Sequence, residues 1–129
     1  MTAEANALAV IAAMNAALPA KVRAYDLDEV PGIRPAEYVV VQVSRRFGGD
    51  LTMGGSLDVV GYRIVVRAIS QTSVSNVRNS LERCREALEE VSLAFDTLQT
   101  TPIQFETEGD PVQYDDGWFS GDHAYTYVI

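Results

Sequence analysis

Between residues 59 and 70 apolar and polar positions alternate: Val60, Tyr62, Ile64, Val66 and Ala68 share one face, and Arg63 and Arg67 fall on the other. The pattern predicts a long strand with one buried face. Val65 and Ile69 lie on the arginine side, so that side carries apolar groups beside two charges and need not be wholly wet. After Gln71 and Thr72 the period changes. Val77, Leu81, Cys84, Leu88, Val91, Phe95 and Leu98 recur at steps of four and three, the stripe of one long amphipathic helix reaching Leu98. Arg78, Glu82, Arg83, Arg85, Glu86, Glu89 and Glu90 occupy its other side, with Arg78/Glu82 and Arg85/Glu89 as opposite-charge pairs worth ~0.2–0.5 kcal/mol each. The buried stripe therefore holds this helix more than its surface charges do.

The rest of the chain reads as packing partners for this unit. Thr2 to Leu18 is alanine-rich, with Leu8, Ile11 and Asn15 along one line and Val10, Met14 and Ala17 along another, and Pro19 stops it; this predicts an N-terminal helix. Val22 to Asp26 reads as a short strand, and Asp28 to Pro35 as turn chemistry around Pro31-Gly32. In the strand Glu37 to Phe47, Val39, Val41 and Val43 share one face, while Tyr38, Val40, Gln42, Ser44 and Arg46 share the other. It is joined to the first strand by a glycine-rich connection, 48–57, that brackets an apolar tip: Gly48 and Gly49, Leu51 and Met53, then Gly54 and Gly55. Such a loop is too long for a tight hairpin, is expected to be mobile when free, and offers its tip for docking to a partner.

Beyond the long helix, Thr100 to Pro102 breaks the pattern. Ile103 and Phe105, then Val112 and Tyr114, suggest two short strands around a Gly109-Asp110-Pro111 turn, and Asp115-Asp116-Gly117 makes the next turn. A terminal strand follows, with Tyr125, Tyr127 and Ile129 alternating with Thr126 and Val128, and its edge is read as bare. The expected fold is α+β: an antiparallel sheet with a long hairpin, an N-terminal helix and one long helix packed on the sheet, in a single domain over 1–129.

Charge changes this picture more than hydropathy does. The 129 residues carry a formal charge of −8, but residues 1–85 hold all 10 basic residues with 8 acidic ones, whereas 86–129 hold 10 acidic residues and no Lys or Arg. An acidic chain argues against a broad nucleic-acid-binding face, which needs clustered Lys and Arg. The N-terminus lacks the basic start and unbroken apolar run of a signal peptide, and no segment approaches the ~20 apolar residues of a membrane span, so a soluble cytoplasmic chain is expected.

Candidate chemistry is sparse. Cys84 stands alone and on the helix stripe, which reads as a small core residue. With one histidine, His123, expected at the surface before the last strand, there is no metal-ligand cluster and no nucleophile triad to argue. Asp110, Asp115, Asp116 and Asp122 match no cation-loop spacing and read as a solvated acidic rim. The glycine pairs lead into no phosphate loop. No cofactor, metal or catalytic residue is expected; an enzyme would need a pocket of titratable groups, for which the acidic C-terminal third is the one candidate.

The succession of Tyr38-Val39-Val40-Val41-Gln42-Val43, the glycine-rich hairpin, the strand Gly61 to Ser70 and the helix Asn76 to Leu88 resembles the tail terminator (tail completion) proteins of long-tailed bacteriophages, best over 37–88. The resemblance implies a structural, non-catalytic virion protein assembled in the host cytoplasm. Its α+β subunits would form a hexameric ring on the head-proximal end of the tail tube, stop tube growth, and bind the tube protein on one side and a head–tail connector protein on the other. DNA would pass through without specific binding, which suits an anionic surface. Another neck or head-completion protein of the same virion is the alternative. A closed ring joins unlike surfaces of neighbouring copies. Arg63 or Arg67 of one subunit is proposed to face Asp115, Asp116 or Asp122 of the next, guanidinium being suited to bidentate pairing with carboxylate; the alternative is that both arginines sit on an exposed sheet face or pair within their own subunit.

Overall fold

The strand expected at 60–70 lies at the centre of a six-stranded sheet. The computed structural model describes residues 3–19, 21–26, 30–48, 60–95, 98–114 and 116–129. Along the chain they form α1 (Ala3–Ala17), β1 (Arg23–Asp26), β2 (Glu37–Gly48), β3 (Val60–Ser70), α2 (Val74–Leu88), β4 (Ala94–Phe95), β5 (Leu98–Gln99), β6 (Gln104–Glu108), β7 (Val112–Gln113) and β8 (Phe119–Val128). The sheet order is β1-β2-β3-β8-β6, with β7 also on β8, while β4 and β5 pair as a separate small ribbon. Among the described strands β1 runs parallel to its neighbour, and the other pairings of this sheet are antiparallel. The fold is α+β, and the long hairpin is β2–β3, registered from Glu37 opposite Ser70 to Gly48 opposite Val60 with one irregularity between Arg45 and Phe47. Gly49, Leu51, Met53, Gly54 and Gly55 of the connecting loop lie outside the described residues.

Both helices pack on one side of this sheet. There Val39 and Val41 of β2, Tyr62, Ile64, Val66 and Ala68 of β3, and Tyr125 and Tyr127 of β8 form one core with Val10 and Met14 of α1 and Val77, Leu81, Cys84 and Leu88 of α2. α2 begins cleanly because the Ser73 hydroxyl accepts from the Asn76 amide at 3.2 Å, satisfying one orphan donor of the first turn. It crosses β8 at Gly121, where a Cβ would come within 3.0 Å of Val77 Cγ1 and 3.3 Å of Leu81 Cδ1, so the side-chain-free position sets how closely helix and sheet approach. On α1 the buried line is Ala7, Val10 and Met14, together with Asn6, which accepts from the Tyr127 hydroxyl; Leu8 points outward.

Four expectations are corrected. The long helix ends at Leu88, ten residues short of Leu98. Glu90 takes a left-handed conformation (φ 65°), its N–H bonds to Ile103 O at 2.8 Å, and Ile103 N–H returns the bond to Val91 O at 2.8 Å. The chain thus leaves the helix to pair with the segment entering β6, although Phe95 still packs on the core. The two short strands expected on either side of Gly109-Asp110-Pro111 are present as β6 and β7, but the segment between them is a break rather than a turn, because both strands pair with β8 and follow one another along it. The terminal strand β8 has no bare edge: it sits between β3 and β6–β7. His123 lies within β8 and is 2% exposed. Its Nε2 is 3.4 Å from Glu108 Oε1 and its Nδ1 3.3 Å from the Tyr125 hydroxyl, with Phe105 edge-on to the ring. A carboxylate can only accept, so Nε2 carries a proton toward Glu108.

Candidate functional site

Alternation along the strands that bury Tyr62 and Ile64 sends their neighbours to the opposite side of the sheet, where neither of the described helices lies. Register groups that side into rows across the strands. Arg23, Tyr38, Ile69, Ser120 and Val112 form one; Tyr25, Val40, Arg67 and Asp122 the next; then Gln42, Val65, Ala124 and Thr107; then Ser44, Arg63, Thr126 and Gln104. Val40, Val65 and Ile69 are half-buried on this open face. With Val30, Tyr38, Gln42 and Arg67 they line a shallow concavity of about 280 Å³.

One end of the face is aromatic. Tyr25 and Tyr38 meet edge-on at 6.5 Å, and Tyr38 and Trp118 at 6.3 Å. Arg34 lies 4.0 Å over the Trp118 ring, donates to the Tyr38 hydroxyl at 3.4 Å, and pairs with Asp116 at 3.6 Å. Tyr38 is buried beneath these groups, so the surface on offer is that of Tyr25, Trp118 and Arg34, residue types that dominate the energetics of protein interfaces. Ile33 (92% exposed), Val112 (48%) and Tyr114 (47%) add exposed apolar surface.

The edges of the sheet are closed to strand addition. On β1, the outward backbone groups of Ala24 are taken by the Asn15 side chain of α1: Ala24 N–H donates to Asn15 Oδ1 at 2.8 Å, and Asn15 Nδ2 donates to Ala24 O at 3.3 Å. One amide thus imitates a neighbouring strand, and Val22 N–H is spent on Pro19 O at 2.9 Å. The other edge, β6–β7, is irregular between Phe105 and Thr107, exposes Glu106 and Glu108, and is broken at 109–111 by Gly, Asp and Pro. Bulges, charges and proline are devices that keep strand edges from pairing with another chain.

The expected site residues fall as follows. Arg63 and Arg67 both project from the open face; within the chain Arg63 Nε lies 3.8 Å from Glu106 and Arg67 Nη2 3.8 Å from Asp122, its cross-strand neighbour. These half-exposed pairs are too long for hydrogen bonds and contribute at most about 1 kcal/mol each. Arg63 Nε is buried without a hydrogen-bond partner. Asp116 is held by Arg34 rather than by either β3 arginine, and Asp115 lies outside the described residues. Sequence reasoning passed over Trp118, Arg34 and Asn15. A lone tryptophan after a turn carries no periodic signal, and an amide that plugs a strand edge looks like any polar helix residue.

The titratable groups away from this face are structural. Burial pushes the Cys84 thiol up to about 12 and the Tyr125 and Tyr127 hydroxyls well above the usual tyrosine range. On α2, Glu89 accepts from Arg85 at 2.7 and 3.3 Å, a pair that holds its carboxyl below the usual carboxylate range, and the same guanidinium lies 3.9 Å over the Phe105 ring. A wide groove of about 580 Å³ runs between α2 and the starts of β1 and β2, where Glu37 accepts from Asn76 at 2.8 Å. Its charged walls, Lys21, Glu82, Arg83 and Glu86, are solvent-exposed. Among the described residues no three His, Cys, Asp or Glu side chains are placed to hold a metal ion, and no helix is long and apolar enough to cross a membrane.

A chain from the virion of a native gene transfer agent particle shares this fold, with a TM-score of 0.73 over 100% of this chain and 98% of that one, at 14% sequence identity. No protein-family model matches the chain, and no curated protein matches it in sequence.

Proposed function

We propose that this chain is a structural, non-catalytic component of a phage-like virion. In the specific form we favour, it is the tail terminator: a hexameric ring on the head-proximal end of the tail tube that ends tube growth and presents a surface to a head–tail connector protein. The observation that carries the reading is the end-to-end likeness of fold to a chain of a gene transfer agent virion, with neither chain leaving an unmatched domain. The open sheet face supports it, because an aromatic, arginine-bearing face that neither of the described helices covers is the kind of surface assembly buries. In this reading the 48–57 loop, with Gly48, Gly49, Leu51, Met53, Gly54 and Gly55, docks to an adjoining ring. Arg63 or Arg67 pairs across the subunit boundary with Asp115, Asp116 or Asp122.

The test is to remove the chain during virion assembly and image the products. A tail terminator leaves tubes of uncontrolled length, together with filled heads that carry no tail. Tails of normal length that merely fail to join heads contradict termination and assign the chain to the neck instead.

A further inference from the structure

We propose that the β6–β7 edge of one copy seats against the open sheet face of the next, so that the two unlike surfaces of each subunit form one repeating contact; this inference rests on the ring reading above. Three observations lead to it. With the β1 edge plugged by Asn15, and β6–β7 irregular and interrupted, neither edge can extend a sheet through its backbone, so side chains must make the contact. The open face holds a concavity of about 280 Å³ walled by Val65, Ile69 and Arg67. Its two β3 arginines reach their own carboxylates only at 3.8 Å, and the Arg67 side chain is half-exposed, which leaves its guanidinium donors for shorter bonds to incoming carboxylates.

The β6–β7 edge presents the complement. It exposes Asp110, followed by the exposed side chains of Val112 and Tyr114, and no Lys or Arg lies anywhere in residues 86–129. The acidic group meets the arginines, and Val112 and Tyr114 meet the concavity. A contact between two different surfaces of one subunit is heterologous, which is the type that closes into a ring when the rotation permits.

The test uses two variants changed only at exposed positions. A face variant carries Gln42→Asp and Arg67→Glu; an edge variant carries Asp110→Arg and Val112→Arg. Sedimentation at low salt, where charge pairing is least screened, measures assembly, and circular dichroism checks the fold. Wild type assembles, each variant alone associates about tenfold more weakly or worse, and an equimolar mixture associates again, because one intact face remains for one intact edge and the acidic replaced face is complementary to the basic replaced edge. The single changes Arg67→Glu and Asp110→Arg repeat the comparison if a double variant unfolds. An edge variant that assembles like wild type while the face variant does not overturns the proposal in favour of face-to-face pairing. Rings from both variants overturn the contact and leave the ring reading standing. A wild-type chain that stays monomeric at every concentration and on tail tubes removes the ring, and this contact with it.

Discussion

The two faces of the sheet are built from the same strands and differ by one residue in register, yet they do opposite work. On the helix-covered face Val39, Val41, Ile64, Val66 and Tyr125 are fully buried, and the buried polar side chains beside them, His123 and Asn6, have hydrogen-bond partners. On the open face Val40, Val65 and Ile69 stop at half burial and share their rows with Arg63, Arg67 and Asp122. A sheet surface meant only for water has no use for valines and isoleucine in its middle. One meant for permanent burial within the subunit has no use for arginines. The mixture is what a surface needs if it must stay soluble in a free subunit and be covered on assembly.

The sharpest way to break this comparison is to cut into the covered side. Leu88→Ala removes a fully buried side chain beneath α2 and is expected to destabilise by ~2–5 kcal/mol in denaturant unfolding, while leaving the open face unchanged. Next comes Gly121→Ala. Its Cβ, within 3.0 Å of Val77 and 3.3 Å of Leu81, pushes α2 away from β8 at an expected cost of about 1–3 kcal/mol, again by denaturant unfolding.

Alkaline pH probes the same core without mutation. The folded-state values of Cys84, Tyr125 and Tyr127 are raised above their ordinary 9.0, 10.0 and 10.0, so the unfolded chain releases these protons first. Their contribution is intact below about pH 9 and is lost as pH climbs through 9 and 10 toward the folded values. Melting temperature should therefore fall across that range, and a Cys84 thiol reagent should react only as fast as the chain unfolds. The smallest effect belongs to the open face. Val65→Thr, half-buried in a row with Gln42 and Ala124, should cost less than about 1 kcal/mol of folding stability, so a loss comparable to Leu88→Ala would show that both faces are interior.

How much of this was legible in the sequence follows from what each feature depends on. The covered face was readable because Val60, Tyr62, Ile64, Val66 and Ala68 keep a strict period of two, and the α2 stripe because Val77, Leu81, Cys84 and Leu88 keep theirs. The stripe misled past Leu88. Val91 and Phe95 continue the spacing, but a pair of backbone hydrogen bonds to Ile103, distant in sequence, overrides it. His123 looked like a surface residue because its burial depends on Glu108 and Phe105 in a neighbouring strand. The mixed character of the open face was legible in Arg63, Val65, Arg67 and Ile69. Its aromatic end was not, since Trp118 is brought onto Arg34 and Tyr38 from a segment distant in sequence.

In the proposed ring, assembly covers the open face and leaves the helices exposed. Side-chain footprinting of the free subunit against the assembled ring measures this directly. Protection should concentrate on Val40, Val65, Ile69 and Trp118, while the outward side chains of α2, such as Arg78 and Glu82, label equally in both states. Protection confined to the helical side, with Val65 and Trp118 labelled as strongly in the ring as in the free subunit, would contradict the account.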